Sequence, residues 1–261
     1  MTRRAFVPAS LGVAATTVSA DAADPAPKPG YLEIRRYQLR NSADNQRQRT
    51  TEFLRQQTAA FQRAGAGPVG AFASSIAPNT PFLLTVVAYP TASAIEEVAG
   101  KLANDAAYQQ AVTAYNSQPG LNYERMESSL LVSFAGYAKV VPPPNDGKRP
   151  ARLFEVRTYE SNNTSTLRKK VQMFNDGEIA AFERAGGQPV FFAETVIGPN
   201  QPSLTYMLSY DDLAGRDKVW KAFGADPGWQ KLRATPGLSD AEIVSNITNY
   251  LVAPLAFSQI R

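Results

Sequence analysis

Polar and apolar residues alternate over residues 31–39 and again over 153–159, the period of two that marks a strand with one buried face. In each stretch Glu, Arg and Tyr share a face, as Glu33, Arg35 and Tyr37 and as Glu155, Arg157 and Tyr159. Ile34, Phe154 and Val156 take the opposite face. A helical period follows each strand. Asn41 or Ser42 can cap the first helix, which carries Phe53, Leu54, Ala60, Phe61 and Ala64 on its apolar positions and closes at Gly65. Asn163 or Thr164 can cap its counterpart, with Leu167, Val171, Phe174, Ala181, Phe182 and Ala185 on one face. Strands are predicted over 69–76 and 82–89, then over 189–197 and 204–210. A second helix is predicted over 93–115, broken near Asp105, and another opens at Asp211 and Asp212 and breaks at Asp226-Pro227. Final strands are predicted over 125–134 and within 241–252.

The two series are one unit written twice. Pro78-Asn79-Thr80-Pro81 and Phe61-Gln62-Arg63-Ala64-Gly65 return 121 positions later as Pro199-Asn200-Gln201-Pro202 and Phe182-Glu183-Arg184-Ala185-Gly186. Tyr89, Asp105 and Tyr108 return as Tyr210, Asp226 and Trp229. Each copy reads β-α-β-β-α-β, the ferredoxin-like order, which puts both helices on one sheet face and leaves the other to be covered. Two such units packed sheet to sheet cover each other. The predicted fold class is therefore α+β: an intramolecular dimeric α+β barrel. Residues 31–138 form the first repeat, 139–151 a Pro-rich linker and 152–261 the second repeat.

Composition narrows the chemistry. Histidine and cysteine are both absent from the 261 residues. Disulfides, imidazole or thiolate metal sites, a His general base and a His-ligated haem are thereby excluded. No metal and no cofactor is expected. The formal charge of +4 falls to +2 without Arg3 and Arg4, too weak a bias to suggest nucleic acid. Arg168-Lys169-Lys170 reads as a solvated helical face. Residues 1–22 read as a signal peptide, whose Thr-Arg-Arg-x-Phe-Val start resembles the twin-arginine export signal. Residues 23–30 form a Pro-rich leader. A periplasmic or secreted location is expected, with no membrane span; homo-oligomerisation is left open.

The alternating Glu-Arg-Tyr faces are the candidate chemistry. Directed into the barrel, they form either a self-satisfied ion-pair network or a cavity whose arginine forks bind an anionic or carbonyl-bearing ligand. A void of ~300 Å³ beside Arg157 is the mark of the second arrangement. The Gly65–Gly70 stretch spells GxGxxG, but it follows a helix and precedes a strand, the reverse of a dinucleotide loop.

The second copy resembles the NIPSNAP family in its Glu155-to-Tyr159 opening, Glu194, Tyr210, Arg216 and the Asp226-Pro227-x-Trp229 break. The first copy departs from that pattern with Ala73, Ile95 and Ala106 in place of Glu194, Arg216 and Pro227. The resemblance implies the dimeric α+β barrel and does not fix an activity. Barrel relatives outside the family include antibiotic-type monooxygenases, isomerases and haem chlorite dismutases, and the missing histidines argue against the last. Two classes of function follow: a small-molecule-binding or structural barrel, or a cofactor-independent enzyme of monooxygenase or isomerase type. Ligand-binding candidates are Glu155, Arg157, Tyr159, Glu194 and Tyr210, mirrored by Glu33, Arg35, Tyr37 and Tyr89. In an enzyme, acid–base work falls to Glu33, Glu155, Glu194 or a tyrosine.

Overall fold

The computed structural model describes residues 28–41, 43–145, 147 and 149–261. The expected signal peptide, the leader up to residue 27 and the cap candidate Ser42 lie outside the described residues. The first half contains β1 (Tyr31–Gln38), α1 (Gln46–Ala64), β2 (Val69–Ile76), β3 (Phe82–Tyr89), α2 (Ser93–Ala103), α3 (Ala106–Asn116) and β4 (Arg125–Ser133). The second contains β5 (Leu153–Glu160), α4 (Thr164–Met173), a π-helical turn (Phe174–Glu178), α5 (Ile179–Arg184), β6 (Gln188–Ile197) and β7 (Ser203–Tyr210). It ends with α6 (Leu213–Ala225), α7 (Pro227–Arg233), α8 (Asp240–Ile243) and β8 (Asn246–Pro254).

Local chemistry sets these bounds. Gly65 ends α1 in the left-handed region at φ 97°, where a side chain would be strained. Asn163 caps α4 through Ser165 and Thr166, in a reciprocal capping box with Thr166. Neither Asn41 nor a side-chain cap starts α1: Asn45 enters it in the left-handed region, and Gln46 ties the entry to Arg40 N and Leu121 O. Both helix breaks are restarts. Asp105 accepts from Tyr108 N to open α3, and Asp226 accepts from Trp229 N to open α7. Each aspartate also receives an arginine 42 positions earlier, Arg63 at 2.6 Å and Arg184 at 2.8 Å.

The strands close into one barrel in the order β1-β3-β2-β8-β5-β7-β6-β4, with β4 returning to β1. The halves are joined edge to edge by the antiparallel β2–β8 and β4–β6 ladders. Closure leaves no free sheet edge. The lumen is filled by apolar side chains of both halves, among them Leu32, Phe72, Val86, Phe154, Phe191 and Met207. Phe72 and Phe154 meet edge to face across it at 5.1 Å. At the end where β2 and β6 begin, Val140 and Ile260 join this cluster, held by Val141 N to Val190 O and Gln259 N to Val69 O.

One expectation is reversed. The Glu-Arg-Tyr faces of β1 and β5 point out of the lumen, toward the helices: Tyr37 packs with Leu54 of α1, and Tyr159 with Leu167 of α4. Leu32, Phe154 and Val156 point inward. The lumen receives side chains from all eight strands and has no helix to supply donors. Apolar faces therefore win most of it, while Glu155 goes where helix side chains can satisfy it.

Candidate functional site

Glu155 anchors the outer face of β5. Its side chain is wholly buried and accepts six hydrogen bonds from five residues. Arg216 of α6 forks onto both oxygens at 2.7 and 3.0 Å, and Trp220 donates Nε1–H at 2.9 Å. Tyr210, Asn249 of β8 and Arg157 complete the shell at 3.1, 3.1 and 3.2 Å. Burial pushes this carboxyl up, but the hydrogen bonds from Arg216, Trp220 and Asn249 and the charge of Arg157 outweigh it, holding the group at about 2. A carboxylate with roughly four lone-pair sites is saturated by this shell. It is an anchor for its arginines and has no acceptor left for a substrate proton.

Arg157 lies over the Trp220 ring at 4.5 Å, a cation–π geometry. Its Nη2 reaches the Tyr159 hydroxyl at 3.4 Å, and its buried Nε has no hydrogen-bond partner. Tyr159 and Tyr206 share a hydrogen bond of 2.9 Å, and burial raises both phenols. Below them Lys170 is fully buried, 3.0 Å from both Glu178 and Asp240. Its ammonium lies within 5.2 to 5.4 Å of the rings of Tyr159, Phe174 and Trp229. Complete burial pushes Glu178 up to about 7 against the pull of Lys170. Glu178 directly follows Gly177, whose non-helical backbone (φ 172°) kinks the chain between α4 and α5.

The first half carries a reduced version. Arg35 grips Glu33 with Nε–Oε1 2.5 Å and Nη2–Oε2 2.9 Å, and Ser128 donates to the same carboxylate. Ile95 and Ala99 stand 121 positions before Arg216 and Trp220, and Gln57 before Glu178. Tyr37 is buried against Leu54, and Tyr89 near Glu33, with burial raising both phenols. The concentrated charge therefore belongs to the second half.

Residues 154–259 match the NIPSNAP family model. No curated protein matches the chain. An uncharacterised NIPSNAP-like domain protein from Burkholderia xenovorans is 23% identical, covering 41% of this chain and 88% of its own, with a TM-score of 0.37. The fold extends over most of the chain in two other structures. A proposed monooxygenase from Lactobacillus acidophilus NCFM superposes with a TM-score of 0.56 at 9% identity, over 87% of this chain and 94% of its own. A second from Fusobacterium nucleatum gives 0.55 at 8%, over 87% and 93%. These likenesses concern the fold: a mixed α+β barrel.

Within the NIPSNAP-matching segment the structure brings Glu155, Arg157, Tyr159 and Tyr210 together. Glu194 stands apart on β6, half-buried, opposite Leu204 and Val132. Lys170, Glu178, Tyr206, Trp220 and Asn249 join the cluster without having been singled out by sequence. Lys170 is the sharpest correction, since the run Arg168-Lys169-Lys170 reads as solvated and only its first two members are exposed. Its spacing held the signal: three after Leu167 and four before Phe174, on the apolar stripe. Arg157 faces away from the lumen, so the void expected there beside it has no place on this face of β5. The lumen instead opens at one end into a cavity of about 170 Å³, lined by Arg36, Thr158, Thr205, Thr248 and Tyr250 among others.

Among the described residues no helix is long and apolar enough to cross a membrane, and no cluster of His, Cys, Asp or Glu is placed to hold a metal ion.

Proposed function

We infer that this is an exported, non-catalytic barrel built from two copies of a NIPSNAP-type ferredoxin-like unit, whose lumen is a structural core and whose role is binding or scaffolding. The packed lumen carries the reading: Leu32, Phe72, Phe154, Phe191 and Met207 fill it and leave a cavity of about 170 Å³ at one end. The Glu155 shell supports it, because the carboxylate is saturated and Arg216 and Trp220 spend their donors on it. The cofactor-independent enzyme remains the second reading, favoured by one observation: Lys170 and Glu178 form a buried pair at 3.0 Å, with burial raising the carboxyl.

Arg157→Ala tests the reading, with melting followed in the presence and absence of a panel of small carboxylates. A structural Arg157 gives a lower melting midpoint and leaves any ligand-induced rise in place. A variant that melts like the parent but has lost a ligand-induced rise reassigns Arg157 to a binding site. For export, protein recovered from the periplasm should begin between Asp21 and Asp24; an intact Met1 contradicts it.

A further inference from the structure

The open end of the lumen holds polar groups that the fold does not use. Arg36, on the inward face of β1, lies over the Phe82 ring at 4.1 Å. Its Nη2 donates to Gln38 Oε1 and to the carbonyls of Pro78 and Asn79, at 3.1, 3.1 and 3.2 Å. Its Nε is shut off from solvent and has no hydrogen-bond partner. Around the same cavity Thr158 and Thr205 bond each other at 2.9 Å, whereas Ser129, Thr248 and Tyr250 make no side-chain hydrogen bond to any described residue. Nη1 is the guanidinium nitrogen left accessible, with no hydrogen bond to any described residue, so Arg36 brings one free charged donor to a cavity whose hydroxyls are also unspent. The two halves contribute differently. Arg36 and Glu127 come from the first, while Thr158 and Thr248, 122 and 121 positions later, come from the second. The floor is apolar, made by Ile34, Leu84 and Leu131.

We propose that this cavity is a binding site for a small hydroxy-monocarboxylate. Nη1 of Arg36 donates a charge-assisted hydrogen bond to the carboxylate. Thr248, Ser129 and Tyr250 exchange hydrogen bonds with the hydroxyl, and the apolar floor takes the carbon chain. A volume of about 170 Å³ suits roughly six or seven non-hydrogen atoms, since an apolar cavity of ~150 Å³ takes up benzene. Glu127 at the rim, paired with Arg125 at 2.8 Å, disfavours a second negative charge. Tyr250 serves as a neutral hydroxyl: burial and Glu127 push it up to about 12, with Arg36 opposing. The proposal rests on the non-catalytic reading above and supplies it with a ligand class.

The test uses the mature chain and L-lactate, followed by calorimetry and by ¹H NMR of the same samples. Propionate (charge without hydroxyl), 1,2-propanediol (hydroxyl without charge) and inorganic phosphate are the comparison arms. Lactate should bind saturably and more tightly than all three. Arg36→Met should weaken it about tenfold or more and Tyr250→Phe several-fold, with Arg157→Ala unchanged. If Arg36→Met does not fold, Tyr250→Phe and Thr248→Val decide the outcome. Absence of saturable lactate binding, binding that survives these substitutions, or tighter binding of propanediol or phosphate overturns the proposal. New product resonances from bound lactate would instead overturn the non-catalytic reading and leave the site standing.

Discussion

Arg216 holds both oxygens of Glu155, Nη2 to Oε1 at 2.7 Å and Nε to Oε2 at 3.0 Å, and so locks α6 onto the outer face of β5. The carboxylate is fully buried, so losing its main partner leaves a charge short of compensation. Arg216→Ile, which installs the residue found 121 positions earlier, should destabilise the fold by about 2–3 kcal/mol, because Arg157 remains to carry part of the charge. Chemical denaturation of the variant checks this. The corresponding change in the first half, Arg35→Ala, should cost less, since Glu33 is partly exposed and keeps Ser128 as donor.

The same carboxylate sets an acid limit. Glu155 titrates at about 2 when folded against 4.5 for a free side chain, so the unfolded chain binds its proton first as pH falls. Its contribution is complete above pH 4.5 and lost as pH falls from there toward 2. A Glu155→Gln variant should show a flatter stability profile over that window, at a lower overall stability.

Glu178 acts in the opposite sense. Its folded value near 7 lies above the free 4.5, so the folded chain holds the proton more tightly, and stability declines as pH rises between those values. The groups facing it are Lys170, Asp240 and Arg157, with Tyr159 and Tyr206 close by. Glu178→Gln should remove the decline between pH 4.5 and 7 while leaving the acid limb of Glu155 intact. Melting midpoints across that range decide it; an unchanged slope in the variant assigns the decline to other groups.

The fold was largely legible because its signals are local. Gly65, Asn163 and the two aspartates at the helix breaks write element boundaries directly into the chain, and the 121-residue echo carries the placing of turns from one half to the other. The inward face was not legible. Alternation in β1 and β5 separates Glu155, Arg157 and Tyr159 from Phe154 and Val156, but both faces of these strands are buried, one by the lumen and one by helices. Which wins depends on Arg216, Trp220 and Asn249, which lie 61, 65 and 94 positions from the carboxylate they satisfy. The candidate set thus named the carboxylate with Arg157 and Tyr210 of its shell, the family resemblance named Arg216, and Trp220 and Asn249 were missed. Lys170 and Glu178 were hidden for another reason. Eight residues apart, they meet across a kink at Gly177, where the backbone leaves helical geometry, a feature ordinary helical spacing does not foresee.

The central claim is that both halves share one filled lumen. Both tryptophans, Trp220 and Trp229, lie in the second half, whereas Leu32 enters the lumen from the first. Urea unfolding of Leu32→Ala, followed by tryptophan fluorescence, is the direct measurement. A shared core predicts that the tryptophan-reported transition loses about 2–5 kcal/mol, the usual cost of truncating a buried leucine. A transition that coincides with that of the parent protein would mean the halves fold as separate domains, and the closed, filled barrel would be contradicted.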